Sequence, residues 1–423
     1  MGVVQSNVWS GGDGPSRPAL ATRLARLGTE TAYVVAQEAG ALKASGAKVL
    51  PFHIGDLNFS TPACVVQSCK DALDAGHTGY CAAAGIPELR KALADHYNET
   101  FGLSYGPENV SVQSGGKPAI GKFLMVCVNE GEEVLFPSPG YPIYESMAKF
   151  LNLTATPYEY VEKDGGWALD IDVLEKLVTP KTKAIIVNNF QNPVGVAHTR
   201  AEMEALAAFS VKHDLFVMSD DPYYQITFSD FDTSDFVHMA VLPGMADRTI
   251  CAYTYSKSFA MTGWRLGAVL GPQAIVDAVT KINTNDEACT THFIQKAGVT
   301  ALTHPDAKAF TKNMVKELEV RRDLLAKELS TVPGFVPLIP KATFYMMVNV
   351  TGAMALVGTD SLEDFRRAVL KGTGVSFCTR AHFGTPLEGE VQRYVRFAFS
   401  GVTTSDIEAT GAALRPFFEA LKK

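Results

Sequence analysis

A lysine and an arginine eight residues apart suggest chemistry in the segment Tyr253–Arg265. Lys257 follows an apolar run that predicts a buried strand, and Arg265 comes after a turn that contains glycine. Burying a lysine is costly, and a partly desolvated lysine can form a Schiff base with an aldehyde cofactor. The alternative is a lysine that extends its ammonium to the surface. This segment alone leaves both interpretations open.

Two further strand ends carry side chains that suit a charged ring. Asp220 and Asp221 end the apolar run LFVMSDD, where a carboxylate can pair with a cationic ring nitrogen. Tyr223 can donate to a phenolate-type oxygen, although the same residues could simply cap a helix or turn. Asn192 precedes a proline and is held extended, so its amide can face a ring oxygen. The pattern N-P-x-G with Gly195 is by itself only a turn signal.

A phosphate and a carboxylate each have a matching segment. The run VQSGGKPAI, which contains Gly116 and Lys117, predicts a strand, a glycine turn and a helix start that suit a phosphate. It has neither the P-loop spacing nor the dinucleotide fingerprint. Arg396 lies in the apolar strand RYVRFAF, where it can clamp a carboxylate or form a structural ion pair. Together the five segments call for pyridoxal 5′-phosphate (PLP) and an amino acid.

Alternating helix and strand patterns must position these segments. Apolar runs such as TKAIIVNNF, LFVMSDD and RTICAYTYSKSF predict buried strands joined by helical crossovers, hence a mainly parallel sheet. We expect an α/β fold with a large PLP-binding domain at residues 56–303, in which helices flank a mixed sheet. Residues 304–423 predict a smaller α+β domain, which would also recruit part of residues 1–55. The cofactor would lie between the two domains.

Composition excludes several classes of function. The 38 basic and 45 acidic residues give a net charge of −7, which argues against sequence-independent binding of nucleic acid. No apolar run approaches the roughly 18–20 residues of a membrane span. The 7 cysteines form no C-x-x-C pair and the 9 histidines no H-E-x-x-H, so we expect a reduced interior and no metal site.

The N-terminus carries two weak targeting signals. Gly2 and Ser6 have the spacing of an N-myristoylation site, and residues 17–28 could be an Arg-bearing part of a transit peptide. A chance match and an ordinary helix are the preferred interpretations. We therefore expect a cytoplasmic protein, with mitochondrial import and acylation as minor options.

Three motifs resemble those of the fold-type-I PLP-dependent aminotransferases of class I/II. GDLNFSTP resembles G-x-P-x-F-x-T-P, TGYCAAAGIPELR resembles Y-T-x-x-x-G-x-x-x-L-R, and SKSFAMTGWRLG matches S-K-x-x-x-x-x-G-x-R-x-G. The resemblance runs from about Ile54 to Gly401. It implies ping-pong transfer of an amino group from an aromatic, aliphatic, alanine-like or aminoadipate-like L-amino acid. The acceptor would be a 2-oxo acid such as 2-oxoglutarate or pyruvate.

The resemblance also implies a role for each site residue. Lys257 would bind the cofactor aldehyde and move a proton, Asp220 would keep the ring nitrogen protonated, and Tyr223 would hold the ring oxygen. The remaining cofactor-binding residues would be Gly116, Lys117 through its backbone N–H, Tyr141, Asn192, Ser256, Arg265 and Tyr80 of the neighbouring subunit in a homodimer. The substrate carboxylate would be bound by Gly55, Asn192 and Arg396.

Departures from the family pattern leave the amino donor open. NNFQNPVG replaces the usual N-x-P-x-N-P-T-G, with Phe190 and Val194 in place of proline and threonine. Arg380 stands near the expected site mouth, where it could bind a distal carboxylate, although an exposed surface arginine is preferred.

Other functions share these motifs. β-Lyases, cyclopropane-forming synthases and PLP oxidases are alternatives, because the surroundings of the cofactor decide the reaction. A non-catalytic PLP-binding regulator is disfavoured, since Lys257 and Asp220 are both present and only about 50 residues precede the domain.

Overall fold

The structure is a computed structural model that describes residues 20–163 and 166–422. The acylation signal at Gly2 and the glycine-rich arm at residues 7–16 lie outside the described residues. The described part of the Arg-bearing stretch holds a short 3-10 helix, Thr22–Arg26, in place of the longer helix that was predicted.

Fifteen strands form in the described residues. In chain order they are β1 (Leu50–Pro51), β2 (Val110–Gln113), β3 (Glu133–Pro137), β4 (Thr154–Tyr158), β5 (Tyr160–Lys163), β6 (Gly166–Leu169), β7 (Thr182–Val187), β8 (Phe216–Asp220), β9 (Thr249–Thr254), β10 (Gly267–Leu270), β11 (Val336–Leu338), β12 (Tyr345–Asn349), β13 (Val375–Ser376), β14 (Cys378–Thr379) and β15 (Tyr394–Ala398).

Thirteen α-helices surround these strands in the same described ranges. They are α1 (Ala32–Ala44), α2 (Ala63–Asp74), α3 (Pro87–Phe101), α4 (Lys117–Cys127), α5 (Ile143–Phe150), α6 (Ile171–Leu177), α7 (Arg200–Lys212), α8 (Gln273–Asp286), α9 (His292–Thr303), α10 (Pro305–Ser330), α11 (Thr351–Val357), α12 (Leu362–Thr373) and α13 (Thr404–Ala420).

The residues at the ends of several helices explain where those helices begin or end. Pro87 begins α3, Gly102 ends it with φ +74°, and Thr199 with Glu202 forms a capping box on α7.

The central sheet has seven strands in the order β2-β10-β9-β8-β7-β3-β4. β10 is antiparallel to both of its neighbours, and all other pairs are parallel. Ile185 and Ile186 of β7 point to opposite faces and both are fully buried, as expected for a strand covered on both sides. The predicted α/β fold with a mixed, mainly parallel sheet is therefore confirmed.

The registers of β8 and β9 bring two candidate residues to one edge of the sheet. The strands are parallel and Asp220 pairs with Ala252, so the segment after Thr254 begins beside the end of β8. Lys257 follows the buried strand as predicted, but β9 ends at Thr254, so the strand predicted over the whole run RTICAYTYSKSF is too long. The Ser256 N–H and hydroxyl both bond the Thr254 hydroxyl, at 3.2 and 2.9 Å, and turn the chain away from the sheet. Lys257 therefore lies in a turn.

A second sheet and the N-terminal segment pack together at the other side of the molecule. β11, β12, β15 and β14 form an antiparallel sheet, while β1 pairs with β13 in parallel. The buried Arg366 of α12 bonds the Glu38 carboxylate of α1 at 2.5 Å. Residues near both ends of the chain thus contact one another.

Three further observations concern the described residues. None of their helices has the length and apolar character needed to cross a bilayer. No cluster of histidine, cysteine, aspartate and glutamate among them could hold a metal ion. All seven cysteines are free.

Candidate active site

A cavity of about 740 Å³ lies at the carboxyl-terminal edge of β7, β8 and β9 and reaches β12 and β15. It collects most of the residues that the sequence singled out. Eleven of the twelve line it: Gly55, Gly116, Lys117, Tyr141, Asn192, Asp220, Tyr223, Ser256, Lys257, Arg265 and Arg396. Tyr80 does not line it, and its side chain is 90% exposed.

Lys257 directs its amine into this cavity. Its Nζ donates to the carbonyl oxygen of Gly55 at 3.1 Å and lies 5.6 Å from the centroid of the Phe344 ring. The alternative, in which this lysine extends to the outer surface, is therefore wrong. An amine held by one carbonyl, with no carboxylate pairing it in the described residues, is free to react with an aldehyde.

Asp220 ends β8 with its carboxylate in the same cavity. Burial raises the pKa of Asp220 to about 7; the hydrogen bond from the Tyr144 hydroxyl works against this rise, and the nearby Asp221 charge adds to it. Tyr144 donates to Oδ2 of Asp220 at 2.5 Å. A carboxyl group with this pKa gains a strong partner when a cationic ring nitrogen binds beside it. The alternative, in which Asp220 caps a helix or turn, is not what the geometry shows, because the hydrogen-bond partner of its carboxylate is the Tyr144 hydroxyl.

Hydroxyl and amide groups converge next to Asp220. The hydroxyls of Tyr223 and Tyr345 lie 3.1 Å apart, and the Asn192 backbone N–H donates to Oδ1 of Asn188 at 2.9 Å. Oδ1 of Asn192 accepts from Arg396, so its Nδ2 group is the one left for another acceptor. These groups suit the phenolic oxygen of a ring.

Arg396 is buried in β15 with only 4% of its surface exposed. Its Nη1 donates to Asn192 at 3.0 Å and its Nη2 to the His53 carbonyl at 3.0 Å, while Nε has no hydrogen-bond partner. The rings of Tyr345 and Phe383 lie 4.3 and 4.4 Å from the guanidinium carbon. No carboxylate of the described residues pairs with it, so the structural ion-pair interpretation is wrong. A buried cation without a counter-ion favours a bound anion.

The glycine turn, the start of α4, Ser256 and Arg265 form a cradle at the other end of the cavity. Gly115 has φ +102°, and a Cβ there would lie 2.2 Å from Nη2 of Arg265. The first N–H groups of α4 lack partners within the helix, and Arg265 Nη1 is fixed by the Thr262 carbonyl at 2.8 Å. Such a set of donors fits a phosphate group.

The N-terminal segment adds an acidic residue that sequence reasoning missed. Glu30 lines the cavity, where its Oε1 accepts from Lys117 Nζ at 2.6 Å and from the Tyr141 hydroxyl. Tyr144 and Tyr345 were missed as well. Tyr144 follows Tyr141 by three residues, a helical spacing that could have indicated a shared face, whereas nothing in the sequence marks Glu30.

Arg380 does not behave as predicted. It is buried, with 3% of its surface exposed, and it pairs with Glu390 at 2.6 Å and with the Ser138 hydroxyl at 2.9 Å. It is also not among the residues that line the cavity. The preferred prediction of an exposed arginine is wrong, because a carboxylate and several carbonyls satisfy the guanidinium. Those same bonds occupy the donors that a distal carboxylate would need.

Comparisons with known proteins give the family. The model for aminotransferase class I and II matches residues 47–414. An aspartate/prephenate aminotransferase from Cereibacter sphaeroides is 33% identical over 373 residues, which cover 86% of this chain and 92% of that protein. An arginine–pyruvate transaminase from Pseudomonas aeruginosa is 33% identical over 349 residues, which cover 82% and 85%.

Solved structures agree with the sequence relatives. An aspartate aminotransferase from Thermus thermophilus with maleate superimposes with a TM-score of 0.86 at 26% identity, covering 95% of this chain and 100% of the other. The cradle at Gly115, the amine of Lys257 and the raised pKa of Asp220 fit PLP, which supplies an aldehyde and an electron-withdrawing ring when bound. The chain belongs to the aminotransferase class I and II family and is a PLP-dependent transaminase of amino acids and 2-oxo acids.

Proposed function

We propose that the cavity between Lys257 and Arg396 is the site of transamination and that it takes one amino acid or one 2-oxo acid at a time. The observation that carries this proposal is the buried, unpaired guanidinium of Arg396 in the same cavity as the free amine of Lys257. A substrate held by its α-carboxylate at one end would present its α-carbon towards that amine. Because two acids use one site in turn, the kinetics are ping-pong.

Each chemical task falls to a different residue. Lys257 would bind the cofactor aldehyde, and its amine is placed to accept the proton that leaves the substrate α-carbon. Asp220, supported by Tyr144, holds a proton on the ring nitrogen. Tyr223 and Asn192 hold the ring oxygen, and Arg396 fixes the α-carboxylate, helped by the Gly55 loop.

Separate residues would hold the ring and the phosphate of the cofactor. Tyr141 would stack on the ring, whereas Gly116, the backbone N–H of Lys117, Ser256 and Arg265 would bind the phosphate. Tyr80 reaches the phosphate of the neighbouring subunit in a homodimer. Its ring, 90% exposed in the single chain, supports a contact with a second copy.

The domain division and the location belong to the same proposal. Residues 56–303 form the PLP-binding domain, and residues 304–423 form the small domain with part of residues 1–55; the β1–β13 pairing supports this division. The protein acts in the cytoplasm, which seven free cysteines support.

The half-reaction tests the proposal directly. The holoenzyme given one amino acid and no 2-oxo acid should stop after a single turnover, with the cofactor absorption shifted to that of the pyridoxamine form. Adding a 2-oxo acid should restore the original spectrum. A β-lyase or an oxidase would instead keep turning over without an acceptor, which would contradict transamination.

A variant of Lys257 gives a second test of the proposed site. Lys257→Ala should lose both the absorption of the covalently bound cofactor and turnover, because it removes the amine that lies in the cavity beside the Gly55 carbonyl. Normal turnover in Lys257→Ala would overturn the assignment of the whole site.

A further inference from the structure

Glu30 places a negative charge inside the proposed substrate cavity. Its side chain is 18% exposed and its Oε1 bonds Lys117 Nζ at 2.6 Å and the Tyr141 hydroxyl. The segment that carries it is fixed on α5, since the Gly28 N–H donates to the Ser146 hydroxyl at 3.0 Å. Glu30 is therefore a built part of the cavity wall.

Four lysines and arginines line the cavity, and three of them have tasks in the proposed function. Lys257 binds the cofactor aldehyde, Arg265 the phosphate and Arg396 the α-carboxylate. Lys117 contributes its backbone N–H to the phosphate, which leaves its ammonium without a task. Among the lysines and arginines that line the cavity, it is the one that could meet a second carboxylate on the substrate.

The histidines of the cavity do not add positive charge. Burial lowers the pKa of His53 to about 4, and the Arg396 and Arg366 charges lower it further. Burial also lowers the pKa of His382. Both rings are neutral at pH 7, so neither offsets the negative charge that Glu30 places beside Lys117.

We propose that Glu30 is a specificity-determining residue that excludes substrates with a second carboxylate and makes the enzyme select monocarboxylic amino acids and 2-oxo acids. Glu30 already occupies the ammonium of Lys117, and an incoming carboxylate would lie beside a like charge. The rings of Tyr345 and Phe383 suit an uncharged side chain instead. This inference rests on the proposed function and extends it to the substrate class.

The names of the relatives do not identify the substrate of this chain, whereas the charge of Glu30 favours one class. Proteins named for aspartate/prephenate and for arginine–pyruvate are each 33% identical to it, so identity alone does not select a substrate. We expect alanine to be preferred over aspartate as donor and pyruvate over 2-oxoglutarate as acceptor.

Glu30→Gln in the holoenzyme is the test, because it keeps the shape and removes the charge. The half-reaction with alanine and with aspartate is followed by the cofactor spectrum. The ratio of kcat/KM for aspartate to that for alanine should rise about tenfold or more, since Lys117 becomes free to meet the second carboxylate. Glu88→Gln is the matched control: it removes a surface carboxylate that pairs with Lys296 at 2.8 Å, and it should leave the ratio unchanged.

A reciprocal variant and a binding measurement complete the design. Lys117→Met leaves the Glu30 charge unpaired and should lower the aspartate-to-alanine ratio below that of the wild type. Succinate and butyrate, titrated against the holoenzyme spectrum, report binding without turnover. Glu30→Gln should tighten succinate binding about tenfold and leave butyrate binding unchanged.

The outcomes distinguish this inference from the proposed function. A wild-type enzyme that prefers aspartate, or an unchanged succinate affinity in Glu30→Gln, overturns the role of Glu30. Failure of every amino acid to produce the half-reaction overturns the proposed function instead, whatever succinate does. Tighter succinate binding in Glu30→Gln supports the exclusion of a second carboxylate by Glu30, and weaker binding overturns it.

Discussion

At the scale of single residues, the site contains buried ionisable groups that a ligand of opposite charge would stabilise. Arg396 is a buried cation without a carboxylate partner, and Asp220 is a buried carboxyl whose pKa is raised to about 7. The charged form of each group is unfavourable in the chain without ligands and becomes favourable when an opposite charge binds beside it. In the proposed function these opposite charges are the amino acid carboxylate and the cationic ring nitrogen, so substrate and cofactor would complete the electrostatics of the cavity.

The raised pKa of Asp220 predicts a pH-dependent stability of the apoenzyme. An aspartate in the unfolded chain titrates near 4, whereas Asp220 in the folded chain titrates at about 7, so the folded state binds the extra proton between these values. The Asp220 contribution to the free energy of unfolding is therefore greatest at low pH and falls as the pH rises from about 4 to 7.

Thermal melts of the apoenzyme between pH 4 and pH 8 measure this effect. Asp220→Asn removes the titrating group, so it should be stabilising relative to wild type by more at pH 8 than at pH 4. Asp172→Asn, at an exposed position, should show no such trend. A difference between Asp220→Asn and wild type that stays constant across the range would contradict the prediction.

At the scale of elements, the strand ends were predictable and the packing partners were not. The apolar runs of β7, β8 and β9 placed Asn192, Asp220 and Lys257 at one edge of the sheet, because parallel strands bring their carboxyl ends together. Those positions depend on local sequence and sheet topology. The end of β9 was predicted too late, since the hydrogen bonds that turn the chain at Ser256 are made by side chains.

The residues missed by sequence reasoning are held by contacts remote in the chain. Glu30 meets residues 117 and 141, and Tyr345 meets Tyr223 and Arg396, so their positions follow from tertiary packing. Arg380 was wrongly predicted to be exposed, because its burial too follows from tertiary packing. Its partner Glu390 lies beyond a turn, where no periodicity reveals the pairing.

The glycine turn before α4 yields a prediction about the cradle. Gly115→Ala introduces a Cβ 2.2 Å from Nη2 of Arg265, at a φ of +102° that disfavours side chains. The guanidinium must move, so the affinity for PLP should fall about tenfold or more, as measured by absorbance titration of the apoenzyme. Gly131→Ala is the control, because its φ is +80° but its Cβ would meet nothing within 4 Å.

The two glycine variants separate the effect of backbone strain from the effect of displacing the Arg265 guanidinium. Both should lose about 1 kcal/mol of unfolding free energy, since both put alanine in left-handed backbone. Only Gly115→Ala should lose PLP affinity. Equal PLP affinities in the two variants would show that Arg265 is not fixed by the turn.

At the scale of the whole molecule, contacts between the two chain ends support the cavity. β1 pairs with β13, and Arg366, whose side chain is buried, bonds both Glu38 at 2.5 Å and Glu363 at 2.9 Å. The same N-terminal segment carries Glu30 and Gly55 to the cavity wall. The stability of this segment therefore bears on the shape of the site.

Glu38→Gln tests the tie between α1 and α12. Arg366 would keep the Glu363 carboxylate but lose one charged partner, so the unfolding free energy should fall by about 1 kcal/mol. Thermal unfolding measures the loss, and limited proteolysis should cut the N-terminal segment faster. Glu99→Gln, at an exposed position, should change neither; equal behaviour of the two variants would mean that the tie does not hold the segment.

The pairing of β1 with β13 also sets an order of events during biosynthesis. Leu50 is made 325 residues before its strand partner Val375, which at about 5–20 residues per second is a delay of roughly 16–65 seconds. During that interval β1 lacks its strand partner β13, and the strands around Asp220 and Lys257 are made before the interval ends. The nascent chain therefore contains Lys257, the proposed partner of the cofactor aldehyde, well before it contains Arg396, the residue proposed to bind the substrate carboxylate.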